Sequence, residues 1–240
     1  YDPPTIYLPK RPCPSGPIRV DLQACFFNLL RKTSTKPTDV AHKTIDRRLS
    51  TVVAKVCSVI YIDGFDVSEK AGTHAVRQAK REQAEVAATV ALDVLVSRVE
   101  HRKRATRQQH ITARKNIQKS FRLTLSARIA LMEFLQQQGW TVVLGDDLEA
   151  DIHIARDCGT NNVILTTDSD VLAYANINKV WRLVTNRKVL EYGQNDVCTI
   201  LKLSNNHLTA LAVVSGNDYE SNIRGLGIAT NLKLIRDIPG

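Results

Sequence analysis

With 240 residues and 43% apolar content the chain can bury a sizeable core, as one large domain or a domain with appendages. No stretch approaches the roughly 18 to 20 uncharged apolar residues of a membrane-spanning helix, and the start "YDPPTIYLPKRPCPSGP" lacks a signal-peptide core and an initiator methionine, so the chain reads as a piece of a longer intracellular protein. The net charge of +9 is concentrated: from Arg98 to Arg122 nine Lys or Arg stand against one acid, which fits either a solvated helix face or contact with a polyanion.

A proline-rich lead (residues 1–17) precedes "IRVD", a short β-branched run that reads as a strand. "LQACFFNLLRK" follows as a helix, then "TDVAHKTIDRRLSTVVAKV" as a second with a Thr or Asp cap, then the strand "SVIYID". Residues 73–138 contain neither glycine nor proline, so long helices are expected there, with Val86, Val90 and Val94 at i, i+4 making an apolar stripe beside the basic end. "LSARIALMEFLQQQ" is a helix ending at Gly139, "WTVVL" a strand, "DDLEADIHIARDC" a helix with an acidic first turn, and "NVILTT" a strand. "KVWRLVT" and "KVLEYG" pair around "NR", and the rest is helical. Alternating strands and helices predict an α/β fold, a mainly parallel twisted sheet with helices on both faces. The five cysteines (Cys13, Cys25, Cys57, Cys158 and Cys198) are odd in number and lack CxxC spacing, which argues against a disulfide framework and for a reducing compartment.

Three strands run into aspartate, at Asp21, Asp63 and Asp168. In open α/β sheets ligand sites gather beyond the carboxyl ends of strands. Asp170 follows Asp168 at i, i+2, and an extended backbone would point both side chains the same way. Glu149 and Asp151 add two carboxylates after "WTVVL", and Asp218 lies in "VVSGNDYESNIRGLG". Each acid has a plain reading too: Asp146 and Glu149 have capping-box spacing, and aspartate is a common turn residue. His153, one turn beyond Glu149, reads as core packing more readily than as a ligand. Two like charges about 4 Å apart repel by roughly 4 kcal/mol at an effective dielectric near 20, so such a cluster calls for cations. All-oxygen donors favour Mg²⁺ or Mn²⁺, and two such ions about 3.5 to 4 Å apart suit phosphodiester hydrolysis.

In order along the chain, strand-Asp21, "YIDG" with Asp63, "LEAD", "TTDSD" and "VVSGNDYESNIRGLGIATNLKLI" resemble the motifs of the flap endonuclease/XPG family of structure-specific 5′ nucleases, a PIN-like group. The resemblance covers about residues 18–238 and implies one 5′-nuclease-like domain (18–240), with a helical arch insertion at about 66–124 and a helix-hairpin-helix at about 208–238. It implies metal ligation by Asp21, Asp63, Glu149, Asp151, Asp168, Asp170 and Asp218, and phosphate contact by Lys70 and Arg77. Phe27 and Arg47 match nucleic-acid contacts, and the basic stretch with Arg102, Lys103 and Arg104 falls within the arch segment. Carbonyls of Asn222, Ile223 and Leu226 match positions that hold K⁺, and amides near Gly225 and Gly227 positions that meet a duplex phosphate. Ala229 stands where the family often has lysine, and no sliding-clamp peptide is visible.

The expected activity is divalent-metal-dependent hydrolysis near 5′ ends, flaps or junctions, endo- or exonucleolytic, by an intracellular monomer, in the nucleus before mitochondria or cytoplasm, on DNA before RNA and with no membrane partner. Alternatives are a catalytically weak nucleic-acid-binding relative or a ribonuclease of the same fold. A glycosyltransferase would share the DxD after a buried strand but leaves "GNDY" and the basic tract unexplained.

Overall fold

The computed structural model describes residues 2–8, 16–64, 71–146, 148–185, 187–215 and 226–238. Strands β1 (Thr5–Tyr7), β2 (Ile18–Asp21), β3 (Ser58–Ile62), β4 (Thr141–Leu144), β5 (Val163–Leu165), β6 (Lys179–Thr185) and β7 (Lys188–Gly193) form one sheet in the order β1-β7-β6-β5-β2-β3-β4. β2 to β6 pair in parallel, with Val20 opposite both Ile60 and Leu165. β7 is antiparallel to β6, and β1 to β7. The mainly parallel sheet is as expected, but β1 falls inside the proline-rich lead, where no strand was expected. Three residues beside Pro3 and Pro4 show no alternation. The outer edge of β7 supplies their partners, and buried Leu8 donates its N–H to Arg187 O at 2.8 Å.

Period-two alternation sorts the inner strands onto two faces. Ile18, Val20, Ile60, Ile62, Val163 and Leu165 pack in the larger core with residues of α1 (Leu22–Thr33), α2 (Thr38–Val52) and α5 (Leu125–Gln137), among them Phe26, Leu49 and Leu135. On the opposite face Tyr61, Ile164 and Val180 meet Ala150, Ile154 and Ala155 of α6 (Ala150–Asp157). Helices therefore cover both faces. The expected Thr or Asp cap of α2 is not made: Pro37 is its N-cap without a side-chain bond, because Thr38 is already inside the helix. α2 also stops at Val52 rather than continuing to Val56, giving way to a 3₁₀ turn at Lys55–Cys57. After α5 the chain turns at Gly139, whose φ of +84° falls in the left-handed region that favours glycine.

The interval without glycine or proline forms α3 (Ala71–Glu100), α4 (Arg107–Ser120) and α5, as its composition predicts. α3, thirty residues and about 45 Å long, packs chiefly against α4 as a helical hairpin. The Asn116 amide donates to Ala87 O at 3.1 Å across it. The hairpin's turn places Arg102 at φ +53° while Lys103 N–H returns to Arg98 O at 2.8 Å. The expected valine stripe is only half covered: Val86, Val90 and Val94 are 66%, 59% and 42% exposed, because a two-helix hairpin supplies no third layer over that face.

α7 (Gln194–Leu201), α8 (Asn205–Val214) and α9 (Ile228–Arg236) share a third apolar cluster around Leu208, Leu211 and Ile235. The Asn231 amide donates to Val214 O at 3.0 Å, tying α9 to the end of α8. These helices flank the segment expected to form the hairpin of a helix-hairpin-helix, of which 216–225 lie outside the described residues. Among the described residues no single helix is long and apolar enough to cross a membrane.

Candidate active site

A cleft of about 530 Å³ opens beyond the carboxyl ends of the central strands, where parallel α/β sheets gather their ligand sites. Asp21, Asp63, Glu149, Asp151, Asp168 and Asp170 line it together with Arg77 of α3. Asp218 and Lys70, named from sequence, lie outside the described residues, as do Asn222, Ile223 and Gly225. Among the described residues no group of three acids, histidines or cysteines stands in ready-made metal-holding geometry, although six carboxylates line the one cleft.

Asp21 ends β2 and is the N-cap of α1, accepting from Ala24 N–H at 2.9 Å and from the Thr166 hydroxyl at 3.2 Å. Burial pushes its carboxyl up to about 7, with the charges of Asp63 and Asp151 adding and the bonds from Ala24 and Thr166 opposing. Burial, then the Asp21 charge, also holds the neighbouring Cys25 thiol well above its usual range. A carboxyl raised in the folded protein favours folding fully below its unfolded value and loses that contribution as pH rises through about 7. Metal-free Asp21→Asn, which keeps a cap acceptor, is accordingly expected to melt several degrees above the parent at pH 8 in chelator, with the gap narrowing toward pH 5. Thermal melts across that range would show it, and equal melting temperatures at pH 8 would remove the electrostatic strain.

Asp63 follows β3, its N–H held by Gln23 Oε1 at 2.9 Å. The glycine after it is required by crowding: a Cβ on Gly64 would lie 1.9 Å from Gly145 O. Asp63 Oδ1 accepts from Ala150 N–H at 2.9 Å, so the first amide of α6 is satisfied from 87 residues away. This corrects the capping-box reading of Asp146 and Glu149. α6 begins only at Ala150, and Glu149 is its N-cap with no side-chain capping bond, which leaves that carboxylate on the cleft wall. Asp151 accepts from the Tyr174 hydroxyl at 3.0 Å.

The "TTDSD" segment also differs from expectation. β5 stops at Leu165, Ser169 is helical in backbone, and Asp170 opens a 3₁₀ turn to Ala173. Asp168 Oδ1 accepts Asp170 N–H at 3.0 Å, so the pair is joined by a turn instead of an extended strand, though both carboxylates still line the cleft.

Phe27 is half-buried on α1 with its ring 5.9 Å from that of Phe121. Arg47 on α2 is exposed, as are Arg102, Lys103 and Arg104 in the hairpin turn. Leu226 and Gly227 lead into α9, with Gly227 as its N-cap. His153 is not among the lining residues, and a side chain on Gly145 would come within 3.3 Å of its ring. Sequence reasoning missed Gln23, Tyr174, Thr209, Ala212 and Val213 in the cleft wall. The last three share one face of α8 at i, i+3, i+4, a spacing that could have marked them.

No model of a known protein family matches the chain. Flap endonuclease 1-B of Physcomitrium patens is 29% identical over 198 residues, 80% of this chain, and the chain spans about half (52%) of that relative's length. The catalytic core of Rad2 in complex with DNA substrate superposes with a TM-score of 0.60 at 18% identity, covering 97% of this chain and 65% of that one. Human GEN1 in complex with Holliday junction DNA gives 0.56 at 18%, covering 98% and 53%, and flap endonuclease-1 from Methanococcus jannaschii 0.57 at 17%, covering 98% and 75%. The chain has the fold of the flap endonuclease/XPG nuclease cores and a sequence similar to a flap endonuclease.

Proposed function

We infer that the protein is a divalent-metal-dependent nuclease that hydrolyses phosphodiester bonds near 5′ ends, flaps or junctions of nucleic acid, DNA before RNA. The observation that carries the reading is one cleft lined, among the described residues, by six carboxylates together with Arg77. The donors fit hard cations, being all oxygen, and burial beside Asp63 and Asp151 raises the proton affinity of Asp21, a strain that a bound cation would offset. Asp21, Asp63, Glu149, Asp151, Asp168 and Asp170, with Asp218 as a further ligand, would hold two Mg²⁺ or Mn²⁺ ions. When bound, such ions supply a water nucleophile at neutral pH and stabilise the leaving oxygen. A solved structure of T5 5′-exonuclease with divalent zinc ions bound, similar in fold at a TM-score of 0.52, supports a metal reading.

The chain's own groups have separable tasks. Arg77 offers a guanidinium toward charge developing on the phosphate, and Lys70 is proposed to share that task. Asp63 fixes the start of α6, and with it Glu149 and Asp151. Tyr174, with Ala212 and Val213 of α8, lines one wall of the cleft. Exposed Arg102, Lys103 and Arg104 at the hairpin tip draw the polyanion in, and Phe27 and Arg47 are proposed to contact it. Leu226 and Gly227, with Asn222, Ile223 and Gly225, are proposed to hold K⁺ and a duplex phosphate.

End-labelled flap, nicked, blunt and single-stranded DNA and RNA, each with Mg²⁺ and with chelator, test the reading. Cleavage of a 5′-flap or junction DNA in Mg²⁺ alone is the expected result. Faster cleavage of RNA would move the assignment to a ribonuclease of this fold, and binding without any cleavage would refute the nuclease.

A further inference from the structure

α6 has only eight residues, too few to hold its place by helix propensity alone, so its position over β2 and β3 is set by contacts at its ends. Its first amide is bonded to Asp63 at 2.9 Å. Its last residue, Asp157, accepts from the Tyr61 hydroxyl at 2.8 Å. Arg19 donates to the same hydroxyl and stands 3.8 Å from Asp157 Oδ2. Its guanidinium lies against the Tyr61 ring, 5.8 Å from the centroid. Asn162, with its amide oxygen turned toward Arg19, accepts from Arg19 Nε at 2.7 Å and Nη2 at 3.1 Å.

This polar group joins two strands and a helix at the edge of the second core, of which Tyr61 is a member. Its strand members stand two residues apart in register, Arg19 opposite Val59 and Tyr61 opposite Asp21. Arg19 precedes Asp21 by two residues on β2, and Tyr61 precedes Asp63 by two, so each lies on the same face of its strand as the cleft carboxylate beyond it. The helix at the other end of the network carries Asp151 in its first turn and Glu149 as its cap. A slide of α6 along the strands would change the spacing between Glu149 and Asp151 on one side and Asp21 and Asp63 on the other. The bonds to Asp157 resist that slide at the end of the helix farther from the cleft.

We propose that Arg19, Tyr61 and Asp157 form a latch that fixes how far α6 reaches along β2 and β3, and through that spacing sets the divalent-cation affinity of the cleft. The latch rests on the reading of the cleft as a metal site. Its members touch neither cation nor substrate and act as positioning residues. The supporting bonds behind metal ligands commonly change affinity by about 10- to 100-fold when removed.

The test is titration of the full chain with Mn²⁺ alone, followed by the EPR signal of the free ion, alongside thermal melts. Tyr61→Phe keeps the buried ring and removes the hydroxyl. It is expected to weaken Mn²⁺ binding by at least about tenfold. Trp140→Phe breaks the 2.8 Å bond to Asp46 in the larger core and is expected to lower the melting temperature while leaving Mn²⁺ affinity within about twofold of the parent. Asp157 is half exposed, so Asp157→Ala should reproduce the weakening without emptying the core, and Asp157→Asn, which keeps an acceptor for the tyrosine, should restore it. Parent-like binding by both Tyr61→Phe and Asp157→Ala would overturn the latch while leaving the metal site standing. A parent protein that binds no Mn²⁺ would overturn the reading beneath it.

Discussion

Asp168→Ala is expected to lower Mg²⁺-dependent cleavage of a 5′-flap by more than about 10³-fold, at the upper end of what loss of one stabilising group costs and beyond it if a metal leaves with the side chain. The reason lies in the double role of this carboxylate, which lines the cleft and holds Asp170 N–H at 3.0 Å, so that its removal also frees the turn carrying Asp170. Asp168→Asn separates the two roles, because an amide oxygen still accepts from Asp170 while the charge is gone. Both variants should cleave at the same negligible rate in single-turnover assays, with flap affinity in Ca²⁺ close to that of the parent. Full activity in Asp168→Asn would show that the charge does not serve a metal.

Arg77→Met should slow the cleavage step by about 10²- to 10³-fold, the range found when one preorganised donor is taken from developing negative charge. Arg77 enters the cleft from the second turn of α3 and is the basic side chain among the described residues that line it. Single-turnover rates at saturating enzyme would carry the loss, with binding changed far less. If only affinity moved, and the difference vanished at saturation, Arg77 would be a docking group and the phosphate would need another partner.

The central architecture was legible because its signals are local. Runs such as "SVIYI" and "VIL" are β-branched and end in turn chemistry, and the long interval without glycine or proline leaves helices as its natural conformation. Strand ends pointed to Asp21, Asp63 and Asp168, and the resemblance added Glu149, Asp151 and Asp170, all of which line one cleft. What was not legible is non-local. Asp63 caps a helix 87 residues onward, so the pattern around Asp146 and Glu149 suggested a local capping box that the chain does not form. The i, i+2 spacing of Asp168 and Asp170 looks the same in a strand as in a turn, and the end of β5 at Leu165 decides between them. Tyr174 gave no sign of its bond to Asp151, since a lone tyrosine in "LAYA" carries no period. The valine stripe was a true apolar pattern, but its burial depends on layers that the hairpin lacks.

The short strand β1 has a consequence for handling the protein. It occupies the outer rim of β7, whose backbone would otherwise face solvent beside β-branched Val189. Shortening the chain past Leu8 would bare a row of amides and carbonyls ready to recruit a foreign strand. Preparations trimmed there would be expected to self-associate at concentrations where the longer form stays dispersed.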